Sequence, residues 1–252
     1  MIHISAVPAE RGSAWFTQGF EYFRRSAGPW IGIAIIFLAI NITLGFLPVA
    51  GMLLSQLLTP IFIGGLILGC RDIDEGRGLQ INHLFAGFNQ HAGNLALLGV
   101  LYTLGSVMII VVMVMVMFLT VGLDLIRVFA EAGTETALQE LSLEHIRNVL
   151  LVILTGLLFY VPLLMTIWFA PVLIVLDRLG AVEAMKASFS GCMKNIMPFL
   201  IYGVVGFILS ILATIPFMLG WFILTPMIIA SIYIAYLDIY CSDRAITINQ
   251  TS

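Results

Sequence analysis

Residues Trp30 to Cys70 read WIGIAIIFLAINITLGFLPVAGMLLSQLLTPIFIGGLILGC, with no Asp, Glu, Lys or Arg among them. A helix that crosses a bilayer needs about 20 mostly apolar residues, and a charge at its centre costs about 2.5–3.5 kcal/mol on an insertion scale. The stretch is too long for one crossing and suits two, joined by a tight turn at Leu47-Pro48-Val49-Ala50-Gly51. Asn195 to Leu237 repeats the arrangement, with its turn near Pro216 to Trp221, while Asn94 to Leu123 and Asn148 to Leu176 each suit one tilted helix. The reading is all-α: a polytopic transmembrane helical bundle of six spanning helices, at about 30–49, 51–70, 94–122, 148–176, 197–218 and 220–240. Residues 1–29 form an amphipathic N-terminal segment, 30–241 the membrane domain and 242–252 a tail.

Composition leads to the same place. Of 252 residues 61% are hydrophobic and 10% charged, with a mean hydropathy of +1.09, whereas soluble domains average about 45–50% apolar and about 25% charged. Eleven Lys and Arg and fourteen Asp and Glu cannot clothe a water-exposed surface of this size. A net charge of −3 gives no basic excess for binding nucleic acid or acidic lipid in bulk, so the distribution of charge matters more than its total. Cys70, Cys192 and Cys241 are odd in number and lack CxxC spacing, which argues against a disulfide framework or a structural zinc site. Glu10, Arg11, Glu21, Arg24 and Arg25 interrupt the first 29 residues, so no cleavable signal is expected there.

Orientation follows from the basic residues between spans. One side receives Arg11, Arg24, Arg25, Arg71, Arg77, Arg178, Lys186, Lys194 and Arg244, and the other only Arg127 and Arg147. That bias predicts a bacterial inner (plasma) membrane protein with both termini cytoplasmic. The outer segment 124–147 reads either as a short amphipathic helix, started by Ser142 or Thr134, or as a solvated acidic turn.

The chain also resembles itself. Leu58-Thr59-Pro60 recurs as Leu224-Thr225-Pro226, and at the same offset Gly64, Gly65, Gly69 and Asp72 align with Ala230, Ser231, Ala235 and Asp238. Ala170-Pro171 with Asp177 suggests a third copy, although no small-residue pair follows that proline. Ahead of the hairpins lie amphipathic stretches with Trp15, Phe16, Phe20 and Phe23, then Leu84, Phe85 and Phe88, then Val182, Met185, Phe189 and Met193. These read as three cytoplasmic interfacial helices, lying in the headgroups or capping the bundle. The small-residue stripes are expected to pack helices closely, with the other copy as one candidate partner, and the Thr-Pro steps to kink their helices.

No chemistry rises from the sequence. The four His (His3, His83, His91, His145) lie outside the spans, no G-x-S-x-G is present, and His83 and His91 are badly spaced for a metal. No span carries a charge at mid-depth of the kind ion-coupled transport uses. Asn41 and Gln56, on adjacent helices, are placed to bond across a hairpin.

Pro171 to Phe199, with Ala184-x-x-x-Ser188 and Asn195 before the next helix, resembles the repeated element of uncharacterised bacterial six-helix inner-membrane proteins, which are distantly similar to the membrane domain associated with glycerophosphoryl diester phosphodiesterases. The resemblance implies a six-helix membrane protein and no activity, because no catalytic residue of the soluble phosphodiesterase domain has a counterpart here. The expectation is therefore a non-enzymatic protein with no catalytic, cofactor or metal residues. Its partners would be membrane lipids, with another membrane protein or a second copy of itself as further candidates. The alternative is a transporter or permease subunit for a small uncharged or amphipathic solute, with its path between the proline-bearing helices.

Overall fold

The computed structural model describes residues 3–89, 91–131 and 143–241, of which 121–131 and 143–146 by their backbone alone. Its helices are α1 (Arg11–Arg25), α2 (Ala27–Gly45), α3 (Pro48–Asp74), a 3-10 helix (Ile81–Phe88), α4 (Ala92–Glu131), α5 (Leu143–Ile167), α6 (Ala170–Leu176), α7 (Ala181–Lys194), α8 (Ile196–Thr214) and α9 (Trp221–Tyr240). No strand occurs among the described residues. Six helical stretches are long and apolar enough to cross a membrane: Ala27–Gly45, Pro48–Asp74, Ala92–Thr120, Arg147–Leu176, Ile196–Thr214 and Trp221–Tyr240. Their outward faces carry Ile35, Leu38, Ile42, Val204, Phe207 and Ile211, all exposed and all apolar, as a lipid-facing surface requires. The protein is an all-helical, multi-pass membrane protein.

Local chemistry explains the breaks. Pro60, Pro162 and Pro226 lie inside helices that continue through them. Pro171 instead sits at the start of α6, after a break at Trp168 and Phe169. Proline lacks an N–H and its ring crowds the carbonyl four residues back, so the ladder opens here. Ser188 on α7 fills the opening: its Oγ accepts the Phe169 N–H at 2.9 Å and donates to the Met165 carbonyl at 2.7 Å. The outer segment expected at 124–147 is narrower, because α4 continues to Glu131 and α5 begins at Leu143. Most of the outer helix expected around Thr134 to Ser142 falls outside the described residues.

The chain forms two compact units, one from residues 1–101 and 165–252, the other from 102–164. The smaller unit is an antiparallel pair. Gly105 faces Leu163, Gly156 faces Met113, and Asn148 Nδ2 donates to the Thr120 carbonyl at 2.7 Å. In the larger unit α2 packs on α3, and α9 packs on both. Its core is built around Trp15, Trp30, Ile67, Leu84, Phe169, Leu173, Tyr236 and Ile239, all fully buried.

Three short helices complete the larger unit, each on a different spanning element. The 3-10 helix packs on α3, which it follows, and α7 packs on α6, which it follows. Helix α1, at the start of the chain, packs on α9 and α8 near its finish. The pattern "apolar helix, then short helix seated on it" therefore runs through the unit and closes on itself.

Candidate functional site

The end of the larger unit that carries the three short helices gathers its acids, bases and most of its tyrosines. Helix α1 has Trp15, Phe16, Tyr22 and Phe23 on one buried face. Phe16 stacks on Tyr202 of α8 with ring centroids 4.3 Å apart, Trp15 lies 5.3 Å from Phe199, and Tyr22 meets Tyr233 edge-on. The sequence left open whether the short helices lie in the headgroups or cap the bundle, and for α1 the structure shows a cap. Of its five aromatics, Trp15, Phe16, Phe20, Tyr22 and Phe23, only Phe20 is exposed. The 3-10 helix and α7 behave differently, since each buries a narrow stripe (Leu84 and Gly87; Ala184, Ser188, Gly191 and Cys192) and leaves its bulkier apolar residues outside. Ile81, Phe85, Phe88, Val182 and Met193 are exposed there, close in sequence to the exposed Arg178 and Lys186, with Arg24 and Arg25 at the end of α1.

Aligned residues of the two copies do the same work. Asp238 at the end of α9 accepts hydrogen bonds from Arg11 Nε and Trp15 Nε1, both at 2.7 Å, and so holds α1. Its counterpart Asp72 on α3 accepts from Arg77 at 2.6 Å and stands 3.1 Å from His83 Nε2, and so holds the 3-10 helix. Arg77 also pairs with Glu75. Hydrogen bonds to Asp72 and then to Glu75 raise the guanidinium further above its ordinary value, so it stays charged. The small-residue stripes match as well. A Cβ on Gly65 would run into the His83 carbonyl, one on Gly87 into the Ile61 carbonyl, and one on Gly19 into the Met227 carbonyl beside Ser231. Each stripe thus packs closely as expected, but its partner is a short helix and not the other copy. Asp177 completes the set by accepting from Tyr236 at 2.8 Å.

The stretch before α1 is stitched to the same end. Asn195 Oδ1 accepts the Val7 N–H at 2.8 Å, and its Nδ2 donates to the Ser5 and Gly191 carbonyls, each at 3.0 Å. Lys194 Nζ reaches the Ile4 carbonyl at 2.6 Å, and the Ser5 N–H bonds the Ile239 carbonyl at 2.7 Å. Ser188 and Asn195 both belong to the motif that carried the family resemblance, so that motif marks two structural latches.

The remaining polar residues are used locally. Asn41 donates to the Phe37 carbonyl, Ser106 to Tyr102, Thr155 to Leu151, Ser210 to Gly206 and Thr214 to Ser210, each within its own helix. The expected bond between Asn41 and Gln56 does not form, and Gln56 Oε1 is buried without a partner. Among the described residues no three His, Cys, Asp or Glu converge as metal ligands. His83 is engaged by Asp72, and burial, then the nearby Arg178, holds the His91 imidazole below its usual range. Cys70 and Cys192 are buried, and burial pushes the Cys192 thiol up to about 12. Sequence reasoning passed over the tyrosines. Tyr22 reaches Asp74, Tyr202 bonds Ser231 at 2.7 Å, and Tyr240 donates to the Ala187 carbonyl at 3.0 Å. Their spacing along the helices gave no sign of these partners, which lie on other elements.

Among known proteins, the chain is similar to a probable inner membrane protein of Burkholderia thailandensis, with 29% identity over 250 residues, covering 95% of this chain and 90% of the relative. No family model matches it. No solved structure matches either. The likeness to an inner-membrane protein agrees with the six apolar spans.

Proposed function

We propose that this is a non-enzymatic inner-membrane protein, with both termini cytoplasmic, that engages anionic lipid headgroups at the end bearing the three short helices. The observation that carries the reading is the exposure of Ile81, Phe85 and Phe88 on the 3-10 helix and of Val182 and Met193 on α7, with Arg24, Arg25, Arg178 and Lys186 exposed at the same end. Apolar side chains that enter the acyl boundary beside cations that meet phosphate are how interfacial helices hold a bilayer surface. The acids at this end support a structural role, since Asp72, Asp177 and Asp238 each accept a bond that fixes a helix. The likeness of the Pro171–Phe199 stretch to the membrane domain of glycerophosphoryl diester phosphodiesterases belongs to this proposal and brings no activity with it.

The test is lipid preference. The full-length protein in detergent, titrated with phosphatidylglycerol or phosphatidylcholine, is expected to retain the anionic lipid through more washes by native mass spectrometry. Changing Arg24 and Arg25 together to Gln should narrow the difference, at about 1 kcal/mol per removed cation. Equal retention of both lipids by the unaltered protein would refute the proposal.

A further inference from the structure

Towards the α8–α9 turn, helices α2 and α9 leave an open groove of about 420 Å³ between them, with Ala34, Phe37, Asn41, Trp221 and Thr225 in its wall. Its inner end shares Ala34, Phe37 and Thr225 with a narrow cavity that Thr59 and Thr225 line together. The groove falls within the roughly 300–1,000 Å³ of small-molecule sites. Its wall is mostly apolar with a small polar part, and no charged residue lines it, so an ionised group inside would lack a counter-charge. Asn41 supplies the one amide side chain in that wall, and it is half-buried. Its Nδ2 donates one hydrogen to the Phe37 carbonyl at 2.8 Å, while the second hydrogen and Oδ1 have no partner among the described residues. An amide N–H left unpaired against hydrocarbon is penalised, and an acceptor oxygen beside it would remove the penalty.

Depth decides which oxygen a bilayer offers there. Helix α2 has 19 residues and so is about 28 Å long, close to the ~30 Å hydrocarbon core. Asn41 precedes its last residue, Gly45, by four, which puts it about 6 Å from that end. Trp221, the first residue of α9, lines the same groove, and tryptophan favours the boundary between acyl chains and headgroups. Glycerolipids carry their ester carbonyls at that boundary. From Asn41 inward to Ala34 the groove follows α2 for about 10 Å, room for the upper part of a chain. We infer that the groove holds one acyl chain of an ester-linked glycerolipid from the leaflet on the side of the α8–α9 turn. The ester carbonyl accepts the free Asn41 N–H, and the chain runs past Phe37 towards Ala34 and Thr225. The site lies at the opposite end of α2 from the headgroup surface proposed above, and it reads the ester linkage where that surface reads headgroup charge.

The experiment compares two phosphatidylcholines of equal chain length, the dipalmitoyl diester and the di-O-hexadecyl diether, which differ only in the two carbonyls. Their headgroup is neutral overall and identical, so a preference for anionic headgroups does not enter the result. Both are mixed in equal amounts with the full-length protein in detergent, and native mass spectrometry tells the retained lipids apart by mass. The diester should be retained about threefold more than the diether, as one hydrogen bond inside a membrane protein provides. Asn41→Leu removes the amide at similar size and should bring the two to equality. Ala34→Phe fills the path of the chain and should do the same, with helicity and elution volume unchanged in both variants as the control for folding. Equal retention by the unaltered protein would mean that a bare hydrocarbon tail or water occupies the groove, and would overturn the inference. A preference for the diester that survives in either folded variant would overturn it as well.

Discussion

Asn195 illustrates how much one side chain holds here. It is 1% exposed and makes three hydrogen bonds, two of them to a stretch that lies nearly the whole chain away. Replacing it by Ala leaves the Val7 N–H and the Ser5 and Gly191 carbonyls without that partner, and each buried polar group so orphaned costs about 1–3 kcal/mol. Asn195→Ala should lower the thermal unfolding midpoint and speed proteolytic cleavage within residues 3–10, a change that N-terminal sequencing of the fragments detects. An Asn before a helix suggests an N-cap in sequence, yet this one makes no cap bond to α8. Its true partners were not legible, because they are backbone atoms brought near by folding. Thiol chemistry follows from burial in the same way. Thiolate is the reactive form, so Cys192, buried and pushed up to about 12, and the buried Cys70 should resist maleimide in the folded protein. Partly exposed Cys241 should react first. Labelling of all three at one rate would contradict this placement.

Among the elements, the short helices depend on backbone approaching backbone. Gly19, Gly65 and Gly87 stand where a methyl group would meet a carbonyl of the neighbouring helix. Gly203, in the middle of α8, has nothing within 4 Å. Overpacking costs about 1–3 kcal/mol, and Gly to Ala at an unobstructed helical site gains about 0.5–1 kcal/mol. Gly87→Ala and Gly19→Ala should therefore destabilise the protein and Gly203→Ala should not, with thermal denaturation in detergent giving the order. The sequence showed that small residues recur in register with Asp72 and Asp238. What they receive was not written in either copy, since the short helix seated on each stripe comes from outside the repeated segment. For Asp238 the contact is testable by itself: Asp238→Ala removes the acceptor of the buried Trp15 indole and should cost about 1–3 kcal/mol. Asp238→Asn keeps an acceptor oxygen and should cost less.

For the whole molecule, the threading proposed from the basic residues predicts opposite compartments for residue 135 and the C-terminal tail. A phosphatase that is active only outside the cytoplasm should be active when fused at 135 and inactive when fused after Tyr240, and the reverse result would invert the proposed orientation. The sequence by itself determined that this is a membrane protein, that it is helical throughout its spans, and that six of its helical stretches are long and apolar enough to cross. Those conclusions rest on the cost of placing charge and unpaired backbone in hydrocarbon, which any segment meets on its own whatever its neighbours are. Only the tertiary structure decided that α1 caps α9, that Asp72 and Asp238 each hold a short helix, that Asn41 and Gln56 stay apart, and that Thr59 and Thr225 face one cavity. In a bilayer every spanning helix is as apolar as the lipid around it, so hydropathy carries no information about which face meets which. That choice falls to close packing and a few directed hydrogen bonds, and both depend on residues far apart in the chain.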